Sequence, residues 1–165
     1  MESRAKFLGH PIHPMLIVFP LGLLATSVVF DIVHLVTGNG TWAQAALYNI
    51  AFGILTGGGA ALFGFIDWLA IPGGSRAKSV GLTHGLGNGA VLTLFLISGL
   101  LRLHDPANPG VLPFIVSLLG AFLATGTAWL GGELVDRMGV GVDPGANVDS
   151  PNSLSGRPAD EVIRR

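Results

Sequence analysis

Four long apolar stretches joined by short polar turns predict an all-α integral membrane protein, a four-helix bundle with both termini in the cytoplasm. Three observations carry this reading. The chain of 165 residues is half hydrophobic and only 12% charged, where a soluble domain carries about a quarter charged residues. Runs of roughly 20 apolar residues, the length that crosses hydrocarbon, recur along it. Lysine and arginine then collect at one end of the threaded chain, with Arg4, Lys6, Arg76, Lys78 and Arg137 on one side and Arg102 alone on the other. Positive-inside counting puts the richer side in the cytoplasm.

Composition narrows the classes further. The mean hydropathy is +0.62. A formal net charge of -1 leaves no basic patch for nucleic acid. The absence of cysteine removes disulfides, thiolate metal sites and thiol chemistry. Arg4 and Lys6 ahead of an apolar run resemble a signal peptide, but the run is longer than a signal core and lacks a small-x-small cleavage site. It reads as an uncleaved first span.

The first span is expected from about Pro14 to Val36, opened by the motif GHPIHPM from Gly9 to Met15. Pro11 and Pro14 push His10 and His13 toward extended backbone. Three residues per turn of a polyproline helix would then aim both imidazoles the same way. Pro14 suits a first helical position, and Pro20 should kink the early turns. TGNGT (Thr37 to Thr41) is a turn. The second span runs from about Trp42 to Ala70, followed by a basic loop with Arg76 and Lys78. The third runs from about Val80 to Leu101, the Pro-bounded loop from His104 to Gly110 follows, and the fourth spans about Leu112 to Val135. Trp42, Trp68 and Trp129 fall near span ends, as interfacial residues should. Residues 1–138 thus form the four-span domain, and 139–165 form a polar tail expected to be poorly ordered.

Small residues recur every fourth position: Gly81, Gly85 and Gly89 in the third span, Gly120, Ala124, Ala128 and Gly132 in the fourth. The second span carries Gly53, Gly57 and Ala61, with Ala60 and Gly64 in a parallel row. Such ladders let membrane helices approach closely.

The ionisable residues sort into two layers. The cytoplasmic layer holds His10, His13, Asp67, His84, Asn88 and Glu133; the outer layer holds Asp31, His34, His104 and Asp105. Each half of the chain begins with a histidine and ends with a carboxylate, His13 with Asp67 and His84 with Glu133. The histidines are 71 residues apart and the carboxylates 66. Parallel repeats about an axis along the membrane normal build such bundles around a shared site. His84 and Asn88, four apart, share one helix face. Histidines and carboxylates converging from separate helices are the composition of metal or haem sites in bundles. His13, Asp67, His84 and Glu133 are the candidate metal ligands, and His10, His13, His84 and Asn88 the candidate cofactor-binding set. The blander alternative is that His10 and His13 anchor at headgroups while Asp67 and Glu133 pair with Arg76 or Arg137 in the interface. Asp31 and His34, three apart, read as a local helix-end pair.

GHPIHPMLIVFPLGL (Gly9 to Leu23), GFIDW (Gly64 to Trp68), THGLGN (Thr83 to Asn88) and GGELVDRMGVGV (Gly131 to Val142) occur in this order. Together they resemble the bacterial membrane family catalogued as domain of unknown function 2231. The resemblance reaches to about Val142 and implies fold and membrane location, with no activity attached. It also points to His10, His13, Asp67, His84, Asn88 and Glu133 as the residues of interest.

The expected protein is a multi-pass protein of the bacterial inner membrane. Its leading function is a His/carboxylate site at the cytoplasmic end that binds a transition metal or haem in a redox context. The competing readings are a non-catalytic assembly subunit, partnered by other membrane proteins or a second copy, and a proton- or ion-conducting element. Nothing in the sequence resembles a nucleophile with its base, a phosphate-binding loop or a dinucleotide fold, which argues against ordinary soluble-type catalysis and leaves other enzymatic activity open.

Overall fold

The computed structural model describes residues 1–162. Its elements are strands β1 (Lys6–Phe7) and β2 (His10–Pro11) and helices α1 (Ile12–Leu16), α2 (Val18–Thr37), α3 (Gly40–Ala70), α4 (Arg76–Leu101) and α5 (Val111–Gly132). A π-helical turn over Glu133–Arg137 extends the last helix. Among the described residues, four segments are long and apolar enough to cross a membrane: Ile12–Thr37, Gly40–Ala70, Arg76–Leu101 and Val111–Arg137.

Local chemistry sets the helix ends. Gly38 terminates α2 in the left-handed region, and its N–H donates to the His34 carbonyl. The Asn39 side chain then caps α3 by accepting from the Thr41 N–H. Ser75 caps α4 by accepting from the Lys78 N–H at 3.1 Å, so this helix starts four residues ahead of the expected Val80. The first span is interrupted at Ile17, because Pro20 has no N–H for the Leu16 carbonyl.

The start of the first span differs from expectation. His10 lies in β2, paired with Phe7 across a hairpin whose two central residues, Leu8 and Gly9, both have positive φ. His13 is already helical, in α1. The extended run that would have aligned the two imidazoles ends at Pro11, and the rings diverge.

The spans pack as two hairpins, α2 with α3 and α4 with α5, joined side by side through α3 with α4 and α2 with α5. The first and third spans are therefore diagonal partners. Leu24, Val28, Ile50, Val91 and Phe95 form the central core.

The two hairpins repeat one plan. In the incoming helices, His13 and His84, Leu24 and Phe95, Ser27 and Ser98, and Asp31 and Arg102 are all 71 residues apart. In the outgoing helices, Gly53 and Gly120, Ala60 and Thr127, and Gly64 and Gly131 are all 67 apart. The contacts repeat as well. Gly53 receives Leu24, and Gly120 receives Phe95. The expected carboxylate correspondence does not hold, since Asp67 and Glu133 are offset by 66.

The packing faces correct one ladder. Gly53, Gly57 and Gly120 meet side chains of neighbouring helices, and so does Gly81, against Trp68. Gly85 and Gly89 face outward, with open space where a side chain would go. The buried face of α4 is instead the row containing Gly81, His84, Asn88, Val91, Phe95 and Ser98. A Cβ at Gly53 would lie 2.6 Å from Leu24 Cδ2, and one at Gly120 would lie 2.9 Å from Phe95 Cε2. Gly53→Leu and Gly120→Leu should each cost at least about 1–3 kcal/mol by overpacking. Gly85→Leu should leave thermal unfolding in detergent near wild type.

Beyond the π turn the chain returns to the N-terminus. The Met1 ammonium donates to the Gly139 carbonyl at 2.7 Å, and the Gly141 N–H donates back to Met1 at 2.8 Å. Lys6 pairs with Asp143 and Glu2, and the hydrogen bond it donates to Asp143 raises the pKa of the Lys6 ammonium above its ordinary range. The tail continues through turns and a short 3-10 helix at Ser153–Ser155. Residues 163–165 of the tail lie outside the described residues.

Candidate functional site

At the end where Met1 meets Gly139, His13 and His84 come together from the two diagonal spans. Their ring centroids are 6.4 Å apart and their planes cross at 87°. Each Nδ1 meets a helix carbonyl at 2.8 Å, Ala60 for His13 and Thr127 for His84. A carbonyl only accepts, so Nδ1 carries the hydrogen and Nε2 presents its lone pair. The acceptors are available for a sequence reason. Four residues beyond each carbonyl stands a glycine, Gly64 or Gly131, and the bare backbone there admits the ring. A Cβ would lie 2.9 Å from the His13 ring and 3.1 Å from the His84 ring.

Asn88 completes the layer. Its Oδ1 accepts from the Thr127 hydroxyl at 2.9 Å, and its amide donates to the His84 carbonyl at 3.0 Å. The same amide nitrogen lies 3.2 Å from Nε2 and 3.4 Å from Nδ1 of His84. An in-plane atom at both distances would collide with ring carbon. The amide therefore sits over the ring face, and the in-plane lone pair of His84 Nε2 stays open. His13 Nε2 likewise has no hydrogen-bond partner among the described residues.

The other expected site residues lie elsewhere. His10 is exposed and meets the Ser153 hydroxyl at 3.3 Å. The Asp67 carboxylate accepts from Ser3 Oγ and from the Arg4 and Ala5 N–H groups, fastening the N-terminal segment to the bundle. Glu133 pairs with Arg76 at 3.1 Å and stands 4.0 Å from Arg137. Among the described residues no three His, Asp or Glu side chains are grouped to hold one metal ion. Of the expected set of His13, Asp67, His84 and Glu133, only the two histidines lie side by side.

A second polar layer occupies the opposite end. Asp31, which reads from spacing as the partner of His34, is instead clasped by Arg102 through two bonds of 2.5 and 2.7 Å. His34 turns to the Asn39 carbonyl. Asp31 and Arg102 are almost fully buried. Ser98 and Ser117 complete the guanidinium shell at 3.1 to 3.3 Å and hydrogen-bond each other at 2.7 Å. The signal for this pair was the 71-residue offset already visible in the histidines.

A family model described as Predicted membrane protein (DUF2231) matches residues 9–144, which include both polar layers. The chain belongs to this family. Among curated proteins and among solved structures, nothing matches it.

Within this frame the two layers differ in what they can do. The Asp31 layer has every hydrogen-bonding group engaged, and none of its buried polar atoms lacks a partner. The His13 layer has two open imidazole lone pairs. Between them lies the apolar core of Leu24, Val28, Val91 and Phe95. From Asn88 to Ser98 alone this is about 15 Å along the helix.

Proposed function

We propose that this DUF2231 protein is a small inner-membrane protein of bacteria that binds one transition metal ion, free or as haem iron, through His13 and His84. The observation that carries the reading is the pair of equivalent imidazoles with Nδ1 tied to a carbonyl and Nε2 open. Histidines that ligate metals usually donate their other N–H in this way, which fixes tautomer and ring orientation. The spacing supports it too. Metal–imidazole bonds of about 2.0–2.1 Å would put two rings that share one ion up to roughly 6 Å apart between centres, close to the 6.4 Å found. Imidazole ligation suits iron, copper or zinc. A pair of imidazole ligands would suit haem-type redox chemistry.

Asn88 contributes by packing on the His84 face, and Asp67 by closing the terminal segment over this end. The apolar core below the histidines favours a site over a continuous proton or ion path. Protons compete with the metal for both Nε2 atoms, so occupancy should fall on acidification. Protein purified in mild detergent from cells supplied with iron, copper, zinc and haem should carry one equivalent of metal or haem per chain. Its complete absence would return the protein to the reading of a non-catalytic assembly subunit.

The same proposal places both termini in the cytoplasm. Arg102, the one basic residue counted against that orientation, is buried on Asp31. A reporter fused in the 105–110 loop should therefore be read from the periplasm. A cytoplasmic signal there would move the histidine layer to the outer face.

A further inference from the structure

Two hairpins built on one plan have a recognition problem, since a face that fits its pseudo-equivalent also comes close to fitting a copy of itself. Gly53 and Gly120 receive equivalent side chains, Leu24 and Phe95, and Ser27 and Ser98 are both fully buried at equivalent positions. One equivalent position carries opposite charges, Asp31 in the first hairpin and Arg102 in the second, and these two side chains meet across the bundle diagonal at full burial.

We infer that the Asp31–Arg102 pair makes the two hairpins non-interchangeable, so that a first hairpin accepts only a second hairpin and rejects the like hairpin of a second copy of this chain. Pairing of two first hairpins would bring Asp31 against its own copy, and pairing of two second hairpins would bring Arg102 against its copy. Both juxtapositions bury like charges without a counter-ion, which the bilayer interior strongly disfavours. Hydrophobic packing cannot make this choice, because lipid tails are as apolar as the helices and close contacts are available to either arrangement. Buried polar groups that fix register or partner at no gain in stability are an established device. The surrounding shell is almost symmetric. Ser27 stands where Ser98 stands in the other half, whereas Ile50 replaces Ser117.

The test uses full-length protein in detergent, with thermal unfolding and light-scattering mass as readouts. The single variants Asp31→Arg and Arg102→Asp, each placing like charges on the diagonal, should lose the discrete folded species. The exchange D31R/R102D should recover it at the wild-type mass. The variant D31R/I50S/R102D, which returns a second hydroxyl to the relocated arginine, should be at least as stable as the exchange. D31L/R102L should unfold near the wild-type temperature yet show additional species of twice the wild-type mass or more. The inference is overturned if D31R/R102D is no better than the single variants, if adding Ile50→Ser lowers its stability, or if D31L/R102L keeps the wild-type mass distribution. A D31L/R102L protein that fails to fold would also overturn it, since the pair would then be serving stability and not choice of partner.

Discussion

Arg102→Ala is expected to destabilise the bundle by about 3–5 kcal/mol, the largest effect of any single truncation in this chain. The arginine supplies both hydrogen bonds to the Asp31 carboxylate. Without it an uncompensated carboxylate would remain where Asp31 is only 2% exposed. Ser98 and Ser117 would lose the guanidinium as well, although they keep each other and the Pro113 carbonyl. Removing both charges at once is a different experiment. An apolar pair of similar volume often matches or exceeds a buried ion pair in stability. Thermal unfolding of Arg102→Ala beside D31L/R102L would separate the cost of a stranded charge from the worth of the pair. A loss below about 1 kcal/mol for Arg102→Ala, the level of an exposed pair, would mean that water reaches Asp31.

The second large effect concerns the ligand. His13→Ala and His84→Ala should each reduce metal affinity by more than the roughly 10–100-fold that loss of a supporting group costs. A two-imidazole site has no spare ligand, and Asp67 and Glu133 are already engaged with Ser3 and with Arg76. Asn88→Ala should behave differently. Its amide lies over the ring and not on the lone pair, so metal should stay bound while the His84 ring gains freedom. Neither histidine substitution should unfold the bundle, because the Ala60 and Thr127 carbonyls sit within helices. Metal content measured side by side, with circular dichroism confirming helicity, distinguishes loss of a ligand from loss of fold.

Much of the architecture was legible because a bilayer imposes it. Span length leaves few ways to thread this chain, and the four helices fall within a few residues of their expected limits. The start of α4 was missed because Ser75, inside a loop rich in glycine and serine, acts as a cap. The inward face of α4 was half legible. His84 and Asn88 do face the bundle, whereas Gly85 and Gly89 share a small-residue spacing that serves lipid-facing rows equally well. Of the candidate site residues, the structure brings His13 and His84 together, whereas Asp67 and Glu133 are engaged elsewhere. One residue of helix turns a side chain by about 100°, so an offset of 66 in place of 67 takes Glu133 off the position equivalent to Asp67. The Asp31–Arg102 pair was hidden for another reason. Its members are 71 residues apart, and His34, only three residues from Asp31, offered a nearer partner.

X-ray absorption at the edge of the bound metal tests the central claim most directly, because it counts imidazole ligands on the ion itself. Two imidazole nitrogens at about 2.0–2.1 Å per metal are expected in the wild type, a single one on whatever metal His13→Ala or His84→Ala retains, and no bound metal in the double variant. A shell dominated by carboxylate oxygen, or one unchanged by either substitution, would contradict it.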